Sequence, residues 1–263
     1  MYAFQYHRPQ SLADAAKLLT GEAKLLAGGH TLIPTMKQRL ANPPALIDLG
    51  RIAELRGIEK RVTGLLIGAM TTHDEVANSS AVRSAIPGLC DVAGAIGDPH
   101  VRHRGTIGGS VANNDPAADY PAALLALAAT IVTNKREIAA NDFFKGLFST
   151  ALGDGEIITR ISVPLPGKFA YVKFANPASR YALVGVAVAK TGNDVRVAVT
   201  GAGSNGVFRH KGMEAALGKD WSAQALAGVA TSAADMMSDM HGGADYRAHL
   251  VGVLARRAVV KAG

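Results

Sequence analysis

The chain has a single cysteine, Cys90. That excludes an internal disulfide, a cysteine-built zinc site and an iron–sulfur cluster held by this chain alone. Set in PGLCDVAGAIG, Cys90 reads as a packed helix residue. Aromatic residues are scarce at 5%, too few for the stacking platforms that hold single-stranded nucleic acid. Among the eight histidines no H-E-x-x-H pairing occurs, and His100 and His103 have no further ligand near them in sequence. No G-x-S-x-G elbow is present either, so neither a metal site nor a serine nucleophile is expected. The longest nearly unbroken apolar run, Pro121 to Val132, falls short of the roughly 20 residues of a membrane span. The opening MYAFQYHRPQ lacks the charged-then-apolar layout of a secretion signal, and a cytoplasmic location is expected.

What is present is a globular composition. The 263 residues are 48% hydrophobic and 19% charged, enough for one large domain or two to three small ones. The net charge is +7, but the basic residues do not cluster. The densest groups are Arg102/His103/Arg104, Arg209/His210/Lys211 and Arg256/Arg257. A basic surface matched to acidic subunits is the expected use of this charge, with nucleic-acid binding disfavoured.

Hydrophobic periodicity predicts small α/β units first. Ser11 caps a helix with Leu12, Ala15, Ala16 and Leu19 on one face and Asp14 in the capping-box position. Strands follow at 23–27 and 45–49, with a short helix over 31–40 between them. The pattern restarts near Gly57, with a strand at 65–70 and a Thr72/Glu75 capping box. Pro87 opens a helix whose face is Leu89, Val92, Ala93 and Ile96. Residues 97–118 carry six Gly or Pro and no periodicity, and read as a long loop. Asp119 then caps an Ala/Leu helix, and strands are expected near 129–133 and 156–163. PLPG at 164–167 marks a boundary. Beyond it YVKFA, ALVGVAVAK and VRVAVT form a meander turned by Thr191-Gly192-Asn193-Asp194, and helices near 209–218, 222–236 and 246–260 close the chain. The order predicts an α+β fold.

Three glycine segments could meet a ligand. In AGGHTLIP, Ala27–Pro34, glycines sit between a strand and a helix start, where backbone N–H groups suit phosphate. A tight strand-to-helix turn is the alternative. The segment Thr106 to Asp119 packs donors, acceptors and glycines without a regular period, and a bound ligand would satisfy them. Gly201-Ala202-Gly203-Ser204-Asn205-Gly206 matches G-x-G-x-x-G, but no strand ending in an acid follows it. It is predicted to be a glycine-rich strand-to-helix turn and not a nicotinamide-nucleotide site.

AGGHTLIPTMKQR and VRHRGTIGGSVANNDPAADYPAALLAL together resemble the FAD-binding medium subunit of the molybdenum hydroxylases, and SDMHGGADYRAHLVGVLARRA at 238–258 resembles that family's C-terminal signature. The likeness covers essentially the whole chain. It implies a two-lobed FAD-binding fold of the vanillyl-alcohol-oxidase type, with lobes 1–56 and 57–166, and a C-terminal antiparallel sheet with helices over 167–263. By resemblance, Ala27, Gly28, Gly29, His30, Thr31 and Leu32 wrap the FAD diphosphate. Thr106, Ile107, Gly108, Gly109 and Ser110 form the second flavin loop. Asn113, Asp115 and Asp119 match polar positions near cofactor hydroxyls, Val101 and Ile158 match apolar ones, and Lys173 and Tyr181 match positions close to the flavin ring. His103 and Ser110 depart from the usual motif, where Asn, and Asn or Asp, are common. The family implies non-covalent FAD here, and a molybdenum cofactor and [2Fe–2S] clusters on a large and a small partner subunit, assembled as a dimer of heterotrimers. No catalytic side chain is implied. The alternative is a self-contained oxidase of the vanillyl-alcohol type, in which a histidine such as His30 carries FAD covalently.

Overall fold

The computed structural model describes residues 1–263. Strands Gln5–His7, Ala45–Asp48 and Lys24–Leu26 form a small parallel sheet in that spatial order. Parallel pairing requires crossovers, and helices Leu12–Leu18 and Leu32–Lys37 supply them. Ser11 accepts from the backbone N–H of Asp14 as the sequence predicts. AGGH therefore leaves the carboxyl end of a parallel strand, the usual ligand edge of such sheets.

A second sheet has five antiparallel strands, ordered Ile58–Arg61, Gly64–Gly68, Ile158–Pro164, Thr130–Thr133 and Glu137–Ala139. Several helices cover it. The Thr72/Glu75 capping box is formed, and Pro87 opens the helix Pro87–Gly94 that buries Leu89, Cys90, Val92 and Ala93. The apolar run from Pro121 becomes the buried helix Asp119–Ala126 and the strand Thr130–Thr133. No helix of the chain is long and apolar enough to cross a membrane.

The third sheet is a meander of Lys168–Ala175, Ala182–Thr191, Asp194–Thr200 and Phe208–Arg209. Its second strand is buried continuously from Ala182 to Ala189. The reason is cover on both faces. The C-terminal helix Ala244–Ala262 packs on one side with Val184, Val186 and Val188. Ala187, Ala189 and Ala198 join the Asp119–Ala126 helix in the other core. Buried Arg247 stitches the C-terminal signature to this sheet, donating to the carbonyls of Leu183 and Gly201 and to Asp239.

Four sequence expectations change. Residues 97–118 are not one irregular loop but contain helices Pro99–Arg104 and Ile107–Asn113. Asp98 and Thr106 cap them through side-chain oxygens, and each is too short to display a hydrophobic period. Asp119 does not cap its helix; Ala118 holds that position, and the Asp119 carboxylate is used elsewhere. The stretch 222–236 carries only 3₁₀ turns at Gln224–Leu226 and Ala233–Asp235, because Gly228 at φ +83° interrupts it. The G-x-G-x-x-G segment runs into a short antiparallel strand before any helix begins. That geometry is incompatible with a dinucleotide βαβ unit, so Gly203→Ala is expected to leave nicotinamide-nucleotide binding, measured calorimetrically, absent as in the parent chain.

Just before the central strand Ile158–Pro164, Glu156 ties that strand to the turn after Thr130–Thr133, beside the cleft described next. It accepts from Arg136 at 2.9 and 3.0 Å, from Thr133 at 2.8 Å and from the Gly153 N–H at 2.8 Å. These bonds, led by Arg136, hold its carboxyl down at about 2, against an ordinary value of 4.5. A carboxylate depressed in this way stabilises the fold above its unfolded pKa and loses that contribution as pH falls through the folded one. The melting temperature is therefore expected to fall with acid between about pH 4.5 and 2 in the parent chain and to fall less over that range in Glu156→Gln.

Candidate cofactor site

A cleft of about 610 Å³ runs between the parallel sheet and the helices of the second lobe, within the size range of small-molecule sites. One wall is the first glycine segment. Gly29 adopts φ +76°, which few side chains tolerate, and its carbonyl accepts from Ile33 N–H to start the helix Leu32–Lys37. The backbone N–H groups of Gly28, Gly29, His30, Thr31 and Leu32 have no acceptor anywhere in the chain. A row of unbonded donors at a loop and helix start is the arrangement that receives phosphate oxygens.

The opposite wall is the helix Ile107–Asn113. Thr106 is its N-cap, accepting from Gly109 N–H at 3.1 Å. Gly108 is pressed on Ala69, where a Cβ would lie 2.6 Å from the Ala69 side chain. At Gly109 a Cβ would meet only Thr106 Oγ1 at 2.9 Å and Ala27 Cβ at 3.7 Å. The two walls touch: a Cβ on Gly28 would stand 2.0 Å from the Arg104 carbonyl oxygen. Only glycine lets the loops meet this closely. Asn114 ends the helix in the left-handed conformation at φ 45° and donates to the carbonyls of Gly146 and Ser149, both at 2.7 Å.

The sequence-predicted residues come together in this cleft with two exceptions. Ala27 to Leu32, Thr106, Gly108, Gly109 and Ser110 line it. So do Val101, Asn113, Asp115, Asp119, Ile158 and Tyr181. Ile107 is fully buried in the core beneath the loop. Lys173 stands one layer back, where its Nζ donates to Asp119 Oδ2 at 3.0 Å and to the Ala95 carbonyl at 2.9 Å. Asp119 also accepts from the Tyr171 hydroxyl. Burial pushes the Asp119 carboxyl up, against the opposing pull of Lys173 and Tyr171. Burial likewise raises Asp115, whose one internal partner is the Ala117 N–H at 2.8 Å.

Sequence reasoning did not select Lys24, His73, Gly97, Leu152 or Arg180, which also line the cleft. Gly97 precedes the Asp98-Pro99 helix start, a signal available in the sequence. The others arrive from distant elements. Exposed His30 holds its Nδ1 3.1 Å from the Gly28 carbonyl oxygen. Donor-rich loops facing one another, polar acceptors at Asn113, Asp115 and Asp119, and apolar walls suit an elongated dinucleotide carrying a diphosphate, and the residues present fit FAD.

The geometry thus defines a nucleotide-cofactor protein with a two-lobed cleft. Residues 2–166 match the family described as the FAD binding domain in molybdopterin dehydrogenase, and residues 169–262 match the CO dehydrogenase flavoprotein C-terminal domain. The chain is 38% identical to the carbon monoxide dehydrogenase medium chain of Hydrogenophaga pseudoflava, over 97% of this chain and 96% of that one. It is 37% identical to the nicotine 6-hydroxylase medium subunit of Paenarthrobacter nicotinovorans, over 99% of this chain and 98% of that one. A solved Cu,Mo-CO dehydrogenase chain superposes with a TM-score of 0.90 at 37% identity, covering 98% of this chain and 97% of that one. Quinoline 2-oxidoreductase from Pseudomonas putida 86 gives 0.89 at 30% identity, covering 99% and 97%. The chain belongs to the FAD-binding subunits of the molybdenum hydroxylases.

Proposed function

We propose that this chain holds FAD non-covalently, with the diphosphate against Ala27–Leu32 and Thr106–Ser110, and acts as the flavin relay of a multi-subunit oxidoreductase. The observation that carries this reading is the row of unbonded N–H groups from Gly28 to Leu32, facing the capped helix at Thr106 across one cleft. Hydrogen bonds from such donors to a charged group contribute about 1.5–3 kcal/mol each. Bound FAD supplies the redox chemistry, passing electrons from [2Fe–2S] clusters of a small partner subunit to an external acceptor, downstream of a molybdenum cofactor on a large subunit.

The chain's own residues bind, orient and shield. Asn113, Asp115 and Asp119 offer polar contacts to the cofactor's hydroxyls, while Val101 and Ile158 keep water from the wall. Tyr181, half exposed at the cleft, is suited to lie near the flavin ring with Lys173 behind it. No side chain has to serve as general acid or base. Residues 1–56 and 57–166 act as the two cofactor-embracing lobes and 167–263 as the third domain. The working assembly is a dimer of heterotrimers in the cytoplasm, and the +7 charge favours acidic partners. The relatives' names span carbon monoxide, nicotine and glyceraldehyde, which supports substrate chemistry on another subunit.

The test is to load the purified chain with FAD and assay aldehydes, purines and carbon monoxide with an artificial dye. No turnover is expected without partner subunits. Turnover in the ordinary enzymatic range, about 1–1,000 per second, would instead support the self-contained oxidase.

A further inference from the structure

We propose that Thr200 is a positioning residue of the cofactor cleft: from the end of a strand in the third sheet, its hydroxyl fixes the turn Asp115–Ala118 and with it the Asp115 carboxylate on the cleft wall. The inference rests on the FAD reading above and gives the C-terminal domain a part in shaping the site.

Asp115 and Asp119 both line the cleft, and the residues from Asp115 to Ala118 form neither helix nor strand. Ala118 N–H donates to the Asp115 carbonyl at 3.0 Å, closing a turn with Pro116 in its second position. Ala117 N–H donates to Asp115 Oδ1 at 2.8 Å. The next three carbonyls of the turn are all taken by the third sheet. Gly201 N–H donates to Pro116 at 2.8 Å and Ala182 N–H to Ala117 at 3.4 Å. The Thr200 hydroxyl lies 2.7 Å from the Ala118 carbonyl oxygen and 3.0 Å from that of Pro116. Every other bond from the sheet to this turn is made by backbone, so Thr200 is the side chain that holds it.

Thr200 is fully buried, and a buried hydroxyl costs stability unless it is bonded. Its surroundings leave it little freedom. Opposite it on the neighbouring strand is Gly185, where a Cβ would lie 2.9 Å from Thr200 Cγ2 and closer still to the Tyr171 hydroxyl, the group that donates to Asp119. From behind, Arg247 donates to the carbonyls of Leu183 at 2.8 Å and Gly201 at 2.6 Å, each next in the chain to a residue that grips the turn. The strand ends are thus tied down on the side away from the cleft as well. The two carboxylates differ in what they have left to offer. Asp119 has both oxygens engaged by Tyr171 and Lys173, whereas Asp115 has one oxygen with no partner in the chain. A carboxylate with a free oxygen on a fixed turn accepts a hydrogen bond from a cofactor hydroxyl without having to be ordered on binding.

The experiment uses the full-length chain, freed of flavin and titrated with FAD. Thr200→Val keeps the shape of the side chain and removes the hydroxyl; affinity is expected to fall about 10-fold. Thr200→Ser, which returns the hydroxyl, is expected to recover most of it. Asp115→Asn is expected to lose about 10- to 100-fold, the effect of one hydrogen bond to a charged acceptor. Thr200→Val combined with Asp115→Asn is expected to bind no more than about twofold more weakly than Asp115→Asn alone, because the hydroxyl acts through that carboxylate. A hydroxyl that only supports the fold would lower the melting temperature of the flavin-free chain and show no such coupling. Thr200→Ala replaces Val if that variant does not fold. Parental FAD affinity in a folded hydroxyl-free variant, or single losses that multiply in the double variant, would overturn the proposal. A parent chain that takes up no FAD overturns the underlying reading as well, and is distinguishable because no variant is needed to see it.

Discussion

Gly109→Asp is expected to strip the chain of FAD while leaving it folded. Gly109 is half-buried on the cleft wall, and its N–H already closes the Thr106 cap. A Cβ here meets Thr106 Oγ1 at 2.9 Å and makes ordinary contact with Ala27 Cβ at 3.7 Å. The fold can absorb that, since one hydroxyl has to yield. The ligand cannot absorb the charge. A carboxylate about 4 Å from a phosphate costs about 4 kcal/mol at an effective dielectric near 20, close to a thousandfold in affinity. Gly109→Ala adds a methyl group and no charge, and is expected to lose far less. Flavin content after gel filtration, alongside far-UV circular dichroism, separates the outcomes. Parental flavin content in a folded Gly109→Asp protein contradicts the placement.

Lys173→Met carries the largest expected stability change. Lys173 and Asp119 are 6% and 5% exposed in their side chains and pair at 3.0 Å. The pair joins the first strand of the third sheet to the helix that carries the second core. Removing the cation leaves a buried carboxylate with Tyr171 as its remaining side-chain partner. Breaking a buried pair in this way costs about 3–5 kcal/mol, a drop of roughly 6–20 °C in melting temperature at this size. Replacing both members, Lys173→Met with Asp119→Asn, leaves no buried charge and is expected to recover a large part of the loss. A single-variant melting temperature within about 2 °C of the parent contradicts this account of the pair.

The sequence was most legible where a signal is local. The Gly28-Gly29 turn, the Thr72/Glu75 box, the Thr191–Asp194 hairpin and the turn nature of 201–206 each depend on a few adjacent residues. The meander was legible because a strand covered on both faces becomes a continuous apolar run. Helices Pro99–Arg104 and Ile107–Asn113 escaped notice because six or seven residues give no period, although Asp98-Pro99 and Thr106 announce their caps. Residues 222–236 misled in the opposite sense, since alanine-rich composition suggests a helix that Gly228 and tertiary packing do not allow. Asp119 shows the limit most clearly. As a first-turn acid it looks like a cap, yet Tyr171 and Lys173, more than fifty residues away, claim its oxygens. His73 joins the cleft only through Gly105 and Tyr120, contacts that no local pattern encodes.

The most direct test of the central claim is the flavin stoichiometry of the purified, FAD-saturated chain before and after acid precipitation. The account predicts one FAD per chain, recovered entirely in the acid supernatant. A chain that retains no FAD, or a flavin that stays with the acid pellet, would contradict it.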